Sequence, residues 1–149
     1  SAVLQRAGFQ ALPVPASKRG NERLLQAAFS HKLAAHLAGL GWIGKSCLLV
    51  TPGDGPRVRW ATVLTDASLP ATGQPMGERC GSCTACVDAC PVHAFTGRAF
   101  QEAEPRSKRY NAGKCQRYLA AMGKKEPGLA VCGMCLYVCP FGNPRKTTV

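Results

Sequence analysis

The stretch Cys80-Gly81-Ser82-Cys83-Thr84-Ala85-Cys86-Val87-Asp88-Ala89-Cys90-Pro91 decides how this chain is read. Its spacing, Cys-x2-Cys-x2-Cys-x3-Cys-Pro, is the run in which three thiolates hold one 4Fe-4S cubane and the fourth reaches the other of two clusters. Two-residue gaps turn three thiolates inward while the intervening backbone N–H groups point at the cluster sulfurs. The x3 step begins a helix that carries Cys90 to the opposite side, and Pro91 redirects the chain where no N–H is available.

A partial copy follows at Cys132-x2-Cys135-x3-Cys139-Pro140, with the first cysteine missing and Cys115 its natural replacement. The two runs then complete each other. Cys80, Cys83, Cys86 and Cys139 are expected to hold one 4Fe-4S cluster, and Cys90, Cys115, Cys132 and Cys135 the second. Two C-x2-C pairs also suit a zinc ribbon, but zinc leaves the third cysteine of each run and both Cys-Pro steps without a role.

A disulfide framework belongs to exported proteins, and no basic region followed by an apolar run opens this chain. It reads as cytoplasmic. It begins Ser1-Ala2 and runs directly into Val3 and Leu4, which reads as a piece of something longer. With 149 residues, 46% hydrophobic and 18% charged, the composition is that of an ordinary globular chain and excludes general disorder. Residues 127–144 carry no charge, but three Pro, three Gly and three Cys there exclude a lipid-facing helix.

Outward from the cysteines the pattern is α+β: a helix plus β-hairpin segment followed by a ferredoxin-like domain with two clusters. Leu24, Leu25, Ala28 and Phe29 fall at near-helical spacing. Ser30 is placed to cap a helix through Leu33, Ala34, Leu37 and Ala38 that Gly39 and Gly41 stop. A hairpin is expected from Cys47–Thr51 through the turn Pro52-Gly53-Asp54-Gly55 to Arg57–Thr65. Residues 66–79 read as a linker. Short helices are expected at Thr84–Ala89, Gly113–Met122 and Met134–Val138. Too few large apolar residues follow position 80 for burial alone to stabilise that half, so bound metal is expected to contribute.

The ninth cysteine, Cys47, reads as a buried inert thiol at the start of an apolar strand. His31, His36 and His93 lack metal-ligand spacing and read as surface or capping residues, with His31 held open because Ser30-His31-Lys32 precedes a Gly-rich loop. That loop lacks the Walker spacing of a nucleotide-binding P-loop. The formal charge of +11 falls to roughly +7 with two cubanes in place. Eight bases and two acids lie between Arg98 and Lys125, with Tyr110 and Tyr118 among them. That segment suits nucleic acid, an acidic electron donor or a solvated face.

The motifs Ala38-Gly39-Leu40-Gly41-Trp42-Ile43-Gly44-Lys45-Ser46, Leu64-Thr65-Asp66, Leu69-Pro70 and the Cys80–Pro91 run fall in this order. Together they resemble epoxyqueuosine reductase and its relative, the corrinoid-dependent reductive dehalogenase. The resemblance implies that residues 1–72 are the remnant of an α/β cobalamin-type reductase module and 73–149 a ferredoxin-like double-cluster domain. It further implies a cobalamin in the full-length protein, beside the cluster of Cys90, Cys115, Cys132 and Cys135. Gly39, Gly41, Trp42, Gly44 and Lys45 would form a loop near the corrin. It assigns no catalytic residue here. The implied function is single-electron relay in an oxidoreductase, with a donor of the ferredoxin or flavodoxin type and tRNA as partners. The competing readings are a stand-alone ferredoxin-like carrier and a basic RNA-binding module whose clusters are structural.

Overall fold

A computed structural model describes residues 1–15, 25–128 and 130–142. In chain order they form α1 (Ala2–Arg6), β1 (Ala11–Val14), α2 (His31–Leu37), β2 (Trp42–Ile43), β3 (Leu49–Val50), β4 (Thr62–Thr65), α3 (Ala85–Asp88), a 3-10 turn (Arg106–Lys108), α4 (Ala112–Lys125) and α5 (Met134–Tyr137). Helix and strand are mixed, and no described helix is long and apolar enough to cross a membrane.

Ser30 caps α2 as expected: its hydroxyl accepts from the Leu33 N–H at 3.3 Å. Helical structure does not extend upstream through residues 25–29, where Leu25 adopts φ +50; Leu24 lies outside the described residues. Asn111 caps α4, accepting from the Lys114 N–H at 3.0 Å, and that helix runs three residues past the expected Met122.

The expected hairpin is replaced by a different hairpin and a long-range strand pairing. Strand β3 folds back on β2, pairing Trp42 with Val50 and Ile43 with Leu49. Strand β4 pairs antiparallel with β1, Leu12 opposite Leu64. The 51–55 turn does form, with Thr51 and Gly55 exchanging backbone hydrogen bonds of 2.9 and 3.0 Å. Beyond it, however, the chain is captured by the cysteine-rich segment instead of returning along β3. Gly55 and Pro56 are buried, and the Arg57 guanidinium donates to the carbonyls of Tyr137, Cys139 and Phe141 at 3.1, 3.1 and 2.8 Å.

The core is small and lies on the N-terminal side. Ala35, Ile43 and Leu49 form its centre, flanked by Leu33, Trp60 and Phe100, while Trp42 and Val50 are the largest fully buried side chains. From residue 80 onward, Cys90, Ala94 and Arg109 are the buried residues among those described. Two small or polar side chains and a thiol cannot supply a hydrophobic core. Residues on either side of the expected 72/73 boundary interlock through Arg57, through His36 edge-on to Phe100 at 5.3 Å, and through the Arg106 guanidinium on the Leu25 carbonyl at 3.1 Å.

Candidate metal centre

The two cysteine runs present their thiols from similar local structures. Each two-residue gap leads into one turn of helix, α3 after Cys83 and α5 after Gly133, and these two short helices pack on each other. Gly133, at φ +69, makes the reversal that α5 starts from. The third thiol of the first run, Cys86, sits on α3, and Cys90 follows it at the helix end.

This packing crosses the runs. Cys80, Cys83, Cys86 and Cys139 line one small cavity together with Lys45, Val50 and Phe141. Burial pushes the Cys86 thiol up to about 11, reinforced by Cys80, Cys139 and Cys83. Around Cys135 the arrangement is parallel: burial, then Cys115, Cys132 and Cys90, push it up to about 11. Burial also raises Cys80 and Cys139. Each group of four thus contains one thiol from the other run.

All nine cysteines are free thiols. The four of the first group stand around a cavity and do not converge on a point; among the described residues no three His, Cys, Asp or Glu side chains could hold a single metal ion. Thiols spread in this way suit a cube of metal and sulfide, whose ligands stand apart. Thiols raised by burial are protonated at neutral pH, so metal binding must expel their protons.

Hydrogen-bond donors are aimed at the sulfurs. The Ala94 N–H donates to Cys90 Sγ at 3.3 Å, and backbone N–H groups of Lys45 and Phe141 favour the thiolates of Cys80 and Cys139. The buried indole N–H of Trp42 makes no well-formed hydrogen bond, and Cys80 is the acceptor it faces. A buried donor left without a partner beside a thiol is what a cluster sulfur would satisfy. The chain's residues therefore fit an iron-sulfur group.

The Gly-rich loop is the seat of the first group. Lys45 Nζ donates to the carbonyls of Gly81 and Cys83 at 2.6 and 3.1 Å. A methyl at Gly44 would stand 3.0 Å from Val50 Cγ2 and 3.2 Å from Cys80 Sγ, and one at Gly41 would overlap the Val50 carbonyl. Gly39, at φ +74, closes α2 against the backbone of Gly73 and Gln74. Trp42 packs edge-on against Phe141 at 4.7 Å.

Two participants carry no sequence signal as such. Arg57 fastens the segment around Cys139, and nothing in Gly55-Pro56-Arg57 announces three carbonyls more than 75 residues away. Tyr110 is the other. Its hydroxyl hydrogen-bonds Cys115, and burial foremost, with that bond, holds the phenol well above its ordinary range. Its ring stacks on Phe95 at 5.1 Å, so it belongs to the thiol site and is no free stacking platform for a base. His31 is likewise engaged, with Nδ1 2.8 Å from the Thr62 hydroxyl. His36 is buried, with Nδ1 3.1 Å from the Gly41 carbonyl. Cys47 is buried, but in the turn between β2 and β3 and not at a strand start, with φ +56.

Eight thiols in two crossed groups, on a scaffold with a minimal core, define a class: residues 79–142 match the 4Fe-4S double cluster binding domain. The chain is 34% identical over 129 residues to the epoxyqueuosine reductase of Leadbetterella byssophila, covering 78% of this chain and 39% of that relative. The solved epoxyqueuosine reductase of Bacillus subtilis superposes with a TM-score of 0.64 at 25% identity, over 91% of this chain and 33% of that one. A reductive dehalogenase structure shares the fold, with a TM-score of 0.69 at 21% identity, over 98% of this chain and 20% of the other. The chain is an epoxyqueuosine reductase-like iron-sulfur protein, and it spans well under half the length of these relatives.

Proposed function

We propose that this chain is the electron-relay part of an epoxyqueuosine reductase-like oxidoreductase, with a ferredoxin-like arrangement of two 4Fe-4S clusters. Cys80, Cys83, Cys86 and Cys139 hold one, and Cys90, Cys115, Cys132 and Cys135 the other. The observation that carries this reading is the crossing of Cys90 and Cys139 between the groups, because it brings the two clusters side by side. When bound, such clusters supply single-electron transfer. The chain's residues bury the thiolates, aim N–H groups at their sulfurs and exclude water, which sets the potential of each site.

A corrinoid in the longer protein, as the acceptor of these electrons, is part of this reading. Gly39, Gly41, Trp42, Gly44 and Lys45 contribute to it by seating the first cluster, since their space and hydrogen bonds are taken up by the chain itself. An acidic partner, whether a ferredoxin or flavodoxin type donor or tRNA, fits the exposed bases Lys114, Arg117 and Lys124 along α4.

Anaerobic reconstitution tests the reading: about eight iron and eight sulfide per chain are expected, with two interacting paramagnets on reduction. Zinc without sulfide would overturn it. A longer protein that shows both clusters yet never retains corrinoid would favour the carrier without substrate chemistry.

A further inference from the structure

The Gly-rich loop brings a charge to the first thiol group as well as a seat. Lys45 lines the small cavity of Cys80, Cys83, Cys86 and Cys139. Its Nζ donates to the Gly81 carbonyl at 2.6 Å and, at 3.1 Å, to the carbonyl of Cys83, itself one of the four. Both acceptors are neutral, and among the described residues Lys45 forms no ion pair, so its positive charge stays uncancelled beside the thiols. The side chain is half-buried, which shields much of that charge from water and salt.

The other charged groups near these thiols are less well placed to act on them. The Arg57 guanidinium also bonds a ligand carbonyl, that of Cys139, and favours the Cys139 thiolate. It is exposed, however, and stands outside the cavity lining. Glu78 works in the opposite sense: its carboxylate accepts from the Cys80 and Gly81 N–H groups at 2.8 and 3.4 Å and disfavours the Cys80 thiolate. Glu78 and Arg79, whose guanidinium lies 5.7 Å from the Trp42 ring centre, are both exposed.

We propose that Lys45 is a positioning residue that sets the reduction potential of the first cluster: its ammonium holds the Cys80–Cys83 loop by two carbonyls, and its charge favours the reduced state. Reduction adds one negative charge to the cluster and its four thiolates. A cation held in a poorly solvated place stabilises the more negative state by more than the less negative one. The Gly-rich loop thereby couples where the first run is seated to how readily it takes an electron. The proposal rests on the two-cluster reading, and a wild-type chain that fails to take up two clusters is a failure of that reading and not of Lys45.

Redox titration of the full chain with both clusters assembled, followed by paramagnetic resonance, tests this; the first cluster is the one whose signal is absent in Cys80→Ala. Lys45→Gln keeps an N–H donor for the carbonyls and loses the charge. Its equilibrium constant for reducing the first cluster is expected to fall about tenfold, which is about 59 mV more negative for one electron. Lys45→Arg keeps the charge and should stay within about threefold of the wild type, and the second cluster should move less than about threefold in either variant. Equal first-cluster potentials in the Gln and Arg variants, at unaltered iron content, confine Lys45 to a structural role and overturn the proposal. Lys45→Met repeats the comparison should Lys45→Gln not assemble. If neither neutral variant holds the first cluster while Lys45→Arg does, the charge retains the cluster instead of tuning it, which also overturns the proposal.

Discussion

The two thiol groups differ in what stands behind them. The group of Cys80, Cys83, Cys86 and Cys139 rests on the best-packed part of the molecule, where Val50, Trp42, Gly44 and Lys45 form a wall and Arg57 ties down the far side. The group of Cys90, Cys115, Cys132 and Cys135 is supported from within the cysteine-rich segment, by α4, Ala94 and Tyr110. One site leans on hydrophobic packing made elsewhere, and the other on hydrogen bonds near its own ligands. Damage should therefore spread differently from each.

The largest effects come from the crossed ligands. Cys139→Ala is expected to remove the same cluster as Cys80→Ala, and Cys90→Ala the same one as Cys135→Ala, each losing about four iron atoms per chain. Because metal binding is folding energy here, each loss should also loosen residues 80–142. Iron and sulfide analysis with paramagnetic resonance checks this: if Cys139→Ala and Cys132→Ala remove the same signal, the groups are not crossed.

Next in size is a lesion at the contact between the 51–55 turn and the end of the second run. Gly55 adopts φ +60, and a methyl there would overlap the Phe141 carbonyl. Gly55→Ala should cost about 2–3 kcal/mol from overlap and left-handed backbone together. Gly133 has a similar φ of +69 but open space around it, so Gly133→Ala should cost only about 1–2 kcal/mol. Thermal melting of the two variants separates clash from backbone strain. The Gly55 variant should lose the signal of the first cluster before that of the second.

A smaller change sharpens the contrast from the other side. Tyr110→Phe removes the hydroxyl on Cys115 without altering the ring stack on Phe95. A hydrogen bond to a thiolate favours the more negative, reduced state, and one such bond contributes on the order of 1 kcal/mol. For a one-electron couple, losing that bond makes the potential of the second cluster roughly 40 mV more negative. A redox titration should show this for one cluster, with the other unmoved.

The cysteine spacing made the short helices α3 and α5 legible, because Cys-x2-Cys and Cys-x3-Cys-Pro are short-range geometry that local backbone obeys. Ser30 and α2 were legible for the same reason. The strand pairing was not. Residues 47–65 alternate as a hairpin should, but Thr62–Thr65 finds its partner in Ala11–Val14 and Leu49–Val50 in Trp42–Ile43, and such two-residue ladders leave almost no periodicity to read. Contacts of Arg57 and Tyr110 span the fold or depend on burial, and neither leaves a pattern in the chain.

The smallest effect is expected at Cys47, the thiol outside both groups. It is 3% exposed, and the charges acting on it are Arg109, Lys32 and Arg106, with no other cysteine among them. Burial, the foremost cause, keeps the thiol protonated at neutral pH and so a poor metal ligand. Cys47→Ala should leave iron content unchanged and cost about 1 kcal/mol for the lost sulfur packing. Its φ of +56 strains alanine as much as cysteine, so no backbone relief offsets that loss. Loss of a whole cluster's iron in this variant would mean that one of the eight assigned thiols is not a ligand and that Cys47 stands in its place.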